Sequence, residues 1–236
     1  MIQDYSRDPE SGKKPETLVV FMHGYGSSGD LMRQYVGDIL GPMLPNAKLH
    51  FPDAPVQMGF NNHSWFELRD VIDRQDDIGL LRRTAQERAP ATAAELNDYI
   101  TKIAAEAGLP ENRVVIAGFS QGGTMAVYTG LSRETEVAGV FAISGGALDL
   151  AEVKSKPPVK LVAGELENQH YSGAPHAVWF QTVLKEQQFR AEAEIITGQK
   201  HDASPKALEL LRDFVLTVTP QSTPKNDAKP HKPFQL

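Results

Sequence analysis

Residues 113–123, Arg-Val-Val-Ile-Ala-Gly-Phe-Ser-Gln-Gly-Gly, run an apolar strand straight into a Gly-x-Ser-x-Gly turn, and residues 121–131 continue as an apolar helical stretch. This order of elements constrains the fold more than anything else in the chain. A serine on a sharp strand-to-helix turn sits in strained backbone, and side chains at Gly118 or Gly122 would collide with neighbouring backbone. Such a turn holds the Ser120 hydroxyl above a sheet, beside a helix N-terminus that favours negative charge. A Gly-rich turn with an incidental serine would account for the motif alone, but not for the strand before it and the helix after it. Ser120 is therefore a candidate nucleophile.

The rest of the chain repeats the alternation. Short segments at 17–22, 47–51, 113–119, 137–144, 159–163 and 191–197 read as strands, several of them rich in Val and Ile. Between them lie helical patterns at 30–40, 92–107, 121–131, 174–187 and 205–218. The clearest places Leu96, Ile100, Ile103 and Ala107 on one face and stops at Gly108, with Pro110 beyond. Strands that are almost continuously apolar, alternating with helices, imply a mostly parallel sheet covered on both faces. Sites in such sheets lie at the carboxyl ends of the strands. The expected organisation is a polar start (1–16), one α/β domain (17–218) and a tail (219–236) expected to be disordered, with four prolines and three lysines. The stretch 52–90 shows no clear strand, carries Met58, Phe60, Trp65 and Phe66, and is long enough to form a substrate wall.

Bulk properties exclude several classes of function. The 236 residues carry a formal charge of −6 with acids and bases interspersed, which gives no electrostatic case for nucleic acid or an anionic membrane. No cysteine is present, so disulfides, thiolate zinc sites and cysteine nucleophiles are ruled out, and a reducing compartment suits the composition. The polar start lacks the apolar stretch of a signal peptide, and no apolar run is long enough to cross a bilayer. A cytoplasmic location is the expectation.

A serine hydroxyl becomes a useful nucleophile only when a base takes its proton, and the base needs a carboxylate to orient it. On sheets with this turn the chain order is serine, acid, histidine, with the histidine on the loop after the last strand. His201 occupies that slot. His50, His63 and His231 lie where the order rule would not draw a base, and His23 shapes the turn after the first strand. The acid should follow the strand at 159–163, where Gly-Glu-Leu-Glu offers both Glu165 and Glu167. Glu167, a few residues past the strand end, is the better placed to turn toward the histidine. His170 and His176 flank this loop, but their spacing with the glutamates matches no helical or hairpin metal-ligand pattern. For an oxyanion, one backbone N–H is expected from Gln121 and a second from Tyr25 in the loop His23-Gly-Tyr-Gly-Ser-Ser-Gly29. That loop lacks the Lys-Ser/Thr of a P-loop and the full dinucleotide spacing.

With these residues in place, the chain resembles the carboxylesterase, phospholipase and acyl-protein thioesterase family of small α/β-hydrolases over about residues 17–217. Five segments carry the likeness: Phe21-Met-His-Gly-Tyr-Gly26, Phe51-Pro-Asp-Ala-Pro55, Ser64-Trp-Phe66, Gly118-Phe-Ser-Gln-Gly-Gly123 and Gly198-Gln-Lys-His201. The resemblance implies an α/β-hydrolase fold with no separate lid domain, Ser120 as nucleophile, His201 as base, and Tyr25 and Gln121 amides as the oxyanion hole. It also implies that Met58, Trp65 and Phe66 line an acyl groove, and that the protein is a monomer or weak homodimer acting on small acyl substrates without a cofactor. The departure is at the acid. Members usually read Gly-Asp-x-Asp followed by Val-Val-Pro, whereas this chain reads Gly164-Glu-Leu-Glu-Asn-Gln-His-Tyr171, which sets Glu167 opposite the usual aspartate. The implied activity is hydrolysis of short to medium acyl esters or thioesters, with lysophospholipase or protein-deacylating variants. A degenerate fold kept as a binding module is the alternative that the altered acid loop suggests.

Overall fold

The computed structural model describes residues 2–71, 78–146, 153–167 and 173–219. His170, Tyr171, His231 and the expected tail from 220 onward lie outside the described residues. Nine strands are described: β1 (Asp4–Arg7), β2 (Thr17–Met22), β3 (Ala47–Pro52), β4 (Val56–Gly59), β5 (Asn62–Ser64), β6 (Val114–Phe119), β7 (Gly139–Ile143), β8 (Val159–Gly164) and β9 (Ala191–Ile196). Seven of them form one sheet in the order β1-β3-β2-β6-β7-β8-β9, parallel except where β1 pairs antiparallel with β3. The crossover between β2 and β3 and the later switch to β6 put the carboxyl ends of β2 and β6 side by side at the centre.

Five helices cover the two faces: α1 (Gly29–Met43), α2 (Ile78–Ala107), α3 (Gln121–Leu131), α4 (Ala174–Glu186) and α5 (Pro205–Val218). Strand alternation divides the core between them. Leu18, Val20, Met22, Val114 and Ile116 pack with α2, α3 and α4, whereas Val19, Phe21, Val115 and Ala117 pack with α1 and α5. Both faces of the central strands are thus buried, which is why β2 reads as an unbroken apolar run.

Three features differ from expectation. The polar start contributes β1, because Asp4 caps the neighbouring strand by accepting the Phe51 N–H at 3.1 Å and pairing with His50 at 2.7 Å. The stretch 52–90 contains the β4–β5 hairpin, whose strands of four and three residues are too short for a periodic pattern to stand out. Finally, α2 begins at Ile78 and passes through Pro90, although proline normally marks a helix start or stop. The buried stripe Leu81, Ala85, Ala89, Ala93, Leu96, Ile100, Ile103 runs unbroken across it. Leu81, Ala85 and Ala89, buried on the N-terminal side of Pro90, offset the roughly 3 kcal/mol that an interior proline costs.

Candidate active site

Ser120 sits between β6 and α3 with φ 55° and ψ −119°, a conformation costing on the order of 1–3 kcal/mol for a residue with a side chain. Its backbone is held at both ends: its N–H donates to the Ile143 carbonyl at 2.8 Å and its carbonyl accepts from the Thr124 N–H at 3.0 Å. The flanking glycines are a steric requirement. A β-carbon at Gly118 would lie 2.3 Å from the Gly122 oxygen, and one at Gly122 would lie 2.2 Å from the Met22 oxygen. The turn is therefore pressed against the end of β2, next to the loop that follows it.

His201 follows β9 and precedes α5. Its Nε2 lies 3.0 Å from Ser120 Oγ, and its Nδ1 lies 3.1 Å from Glu167 Oε2. A carboxylate can only accept there, so Nδ1 carries the proton and Nε2 is left with a lone pair toward the serine hydroxyl. The Phe119 ring packs on the imidazole, with centroids 4.8 Å apart. Glu167 has a fully buried side chain, whereas Glu165 is exposed and its Oε2 accepts from the Gly198 N–H at 2.8 Å. Of the two carboxylates that the sequence leaves open, Glu167 faces His201, and Glu165 braces the turn leading to it. The two loops are stitched together by the Glu165 and Leu166 N–H groups, which donate to Ile196 and Gln199 carbonyls at 3.0 and 2.8 Å. Gly164 permits this close approach, since a β-carbon there would lie 2.4 Å from the Gln199 oxygen.

The loop after β2 is ordered by His23. Its Nδ1–H donates to the Gly24 carbonyl at 2.7 Å and its Nε2 accepts from the Ala54 N–H at 3.1 Å, so the neutral tautomer is satisfied at both nitrogens. Burial pushes its pKa down to about 4 and keeps it neutral. The Gly24 carbonyl also accepts from the Ser27 N–H at 3.2 Å. In a trans peptide the N–H points opposite the carbonyl, so fixing the Gly24 oxygen from two sides turns the Tyr25 N–H the other way. Gln121 is the first residue of α3, where N–H groups have no partner within the helix.

The aromatic wall needs correction. Trp65 is fully buried and Phe66 is 5% exposed, so neither offers a face to a substrate. The reason is polar: the Trp65 indole N–H donates to the His23 carbonyl at 2.7 Å, its backbone N–H to Gln121 Oε1 at 3.0 Å, and its carbonyl accepts from Thr92 Oγ1 at 2.8 Å. Trp65 braces the loop after β2 from beneath. The Gln121 side chain also donates to the Phe66 carbonyl at 3.1 Å, tying the nucleophile turn to the same segment. Met58 is partly buried on β4, near the hairpin tip where Phe60 is 98% exposed. The hairpin is fastened to the loop after β2, since the Gly26 N–H donates to the His63 carbonyl and the His63 N–H to the Ser27 carbonyl, both at 2.9 Å.

Ser144 was not foreseen. It follows β7 with φ 51° and its hydroxyl donates to Glu167 Oε1 at 2.5 Å. The only sequence signal was an Ile-Ser-Gly-Gly run after an apolar strand. Among the described residues, no group of three or more His, Cys, Asp or Glu could hold a metal ion, and no helix is long and apolar enough to cross a membrane.

The sequence matches the family described as Phospholipase/Carboxylesterase over residues 8–219. It is 36% identical over 147 residues to an acyl-protein thioesterase 1 of Mycosarcoma maydis, covering 58% of this chain and 60% of that protein. It is 27% identical to the Neurospora crassa acyl-protein thioesterase 1 over 89% of this chain and 90% of that one. Among solved structures, esterase PE8 superposes with a TM-score of 0.79 at 27% identity, over 92% of this chain and 99% of that chain. A Bacillus cereus carboxylesterase shares the fold with a TM-score of 0.70 at 16% identity, over 92% and 95% of the two chains. With a strained serine in contact with a histidine and a match spanning β2 to β9, the chain belongs to the phospholipase/carboxylesterase family of α/β-hydrolases and is an esterase-type hydrolase.

Proposed function

We propose that this enzyme cleaves short to medium acyl esters or thioesters through an acyl-Ser120 intermediate. The observation that carries the reading is the continuous hydrogen-bonded chain from Ser120 Oγ through His201 to the buried Glu167. His201 Nε2 takes the hydroxyl proton as Oγ bonds to the substrate carbonyl carbon, and Glu167 stabilises the imidazolium that forms. The carbonyl electron pair moves onto oxygen, where the N–H groups of Tyr25 and Gln121 receive it, each donor contributing roughly 3 kcal/mol. Collapse expels the alcohol or thiol, protonated by His201. Water then repeats the sequence on the acyl-serine, with His201 again as base, and releases the acid. Met58, beside the exposed Phe60 on a hairpin bonded to the loop after β2, is the side chain retained as an acyl contact.

A protein-deacylating role is a second reading, favoured by the names of the Mycosarcoma and Neurospora relatives. We take the working form to be a cytoplasmic monomer or weak homodimer. Labelling with a fluorophosphonate, compared between parent and Ser120→Ala, tests the chemistry: labelling that persists in the variant would reject Ser120 as nucleophile. Turnover of p-nitrophenyl esters of graded length against an S-acylated peptide distinguishes the leaving groups, and sedimentation measures the assembly.

A further inference from the structure

We propose that Ser144 is the positioning residue for the acid, fixing one oxygen of Glu167 so that the other is held toward His201. The inference deepens the serine-hydrolase reading and rests on it. Burying a carboxylate is costly unless its lone pairs are satisfied. The Glu167 side chain is fully buried, and its two oxygens divide their partners. Oε1 accepts from the Ser144 hydroxyl at 2.5 Å and from the Gly164 N–H at 2.6 Å, while Oε2 meets His201 Nδ1 at 3.1 Å. The two short, charge-assisted contacts on Oε1 fix the carboxyl plane.

The anchor is built for a glutamate. Glu167 reaches back across its own turn to the Gly164 N–H, while its backbone N–H donates to the Gly164 carbonyl at 3.3 Å. An aspartate at 167 would be one methylene short of meeting Gly164, Ser144 and His201 together. Ser144 is itself held in a costly conformation, at φ 51°, with its N–H donated to the Val162 carbonyl at 2.7 Å. That conformation sets its hydroxyl at the end of β7, opposite the acid loop that follows β8.

The test compares the parent with Ser144→Ala, Ser144→Gly and Glu167→Asp. Glycine accepts the positive φ without strain, so Ser144→Gly removes the hydroxyl while sparing the backbone. In both Ser144 variants kcat should fall about tenfold with KM unchanged, the size expected for a lost hydrogen bond to a charged group. The low-field His201 Nδ1–H proton resonance should broaden or vanish in both, and that signal reads the anchor without turnover. Glu167→Asp should lose at least as much activity as the Ser144 variants. Parental kcat or an unchanged resonance in a folded Ser144 variant would overturn the proposal. Parental activity in Glu167→Asp would do the same, and it decides the matter if neither Ser144 variant folds. Lack of Ser120-dependent labelling in the parent rejects the hydrolase reading and the anchor's catalytic role together, whereas parental labelling with unaffected Ser144 variants rejects the anchor alone.

Discussion

The Ser120 turn and the loop proposed to carry the acid meet through His201 but are built by different forces. At 118–122 backbone presses on backbone, so closely that a β-carbon at either glycine would come within 2.3 Å of a carbonyl oxygen. In the acid loop only Gly164 is pressed in that way, where a β-carbon would lie 2.4 Å from the Gln199 oxygen; past it, at 165–167, the geometry comes from hydrogen bonds: Glu167 Oε1 to Ser144 and Gly164, Glu165 to Gly198, and the main chain to Ile196 and Gln199. Steric contact at this range admits one residue type, so it leaves an unmistakable mark in the chain. A hydrogen-bonded loop can be satisfied by several side chains, so its mark is ambiguous. The Gly-Phe-Ser-Gln-Gly-Gly turn accordingly follows the family pattern, while the acid loop departs from it.

Substitutions in the two regions should have unequal effects. The largest effect is expected from Glu167→Gln, which leaves the shape but misdirects the histidine proton: kcat should fall by about 10³–10⁴-fold, measured on a p-nitrophenyl ester. A smaller loss than in Glu165→Gln would reverse the assignment of the acid. Next, Gly122→Ala should destabilise the fold by more than about 3 kcal/mol in urea unfolding, because no side chain can yield against the Met22 carbonyl. A near-neutral result would remove the steric account of the turn.

His23 supplies a pH test on the same side of the site. Its pKa is about 4 in the folded protein against an ordinary 6.5, so between these values the unfolded chain binds a proton that the folded one refuses. Stability is therefore fully supported above 6.5 and should fall as pH drops toward 4, by on the order of 3 kcal/mol. Unfolding free energies of parent and His23→Gln across this range should converge at the acid end, and parallel curves would contradict the assignment. Trp65→Phe, which deletes the indole donor to the His23 carbonyl while keeping a buried ring, should cost about 1–2 kcal/mol and lower kcat modestly. Glu165→Gln should change stability and rate least, by less than about 0.5 kcal/mol, because its contact to Gly198 is exposed.

Much of the fold was legible because its signals are local. The unbroken apolar runs of β2, β6 and β7 announce strands buried on both faces, and Gly108, φ 67°, ends α2 where a left-handed residue is needed. The first part of α2 was hidden by Pro90, whose local cost is offset by a buried stripe seen only once the helix is packed. β4 and β5 were hidden because runs of four and three residues are too short for alternation to be distinguished from chance. Trp65 misled for a related reason: a large ring in a polar loop reads equally as a substrate wall or as core, and only its indole partner on His23 distinguishes them.

By itself, the sequence determined the elements whose cause lies within a few residues: the strand-turn-helix at Ser120, the two-sided sheet, and His201 on the loop after the last strand. Folding alone shows that Glu167 and not Glu165 meets His201, that the Ser144 hydroxyl bonds Glu167, and that Trp65 faces inward. Each of those outcomes depends on groups tens of residues apart meeting at hydrogen-bond distance, and the order of residues along a chain does not encode that separation.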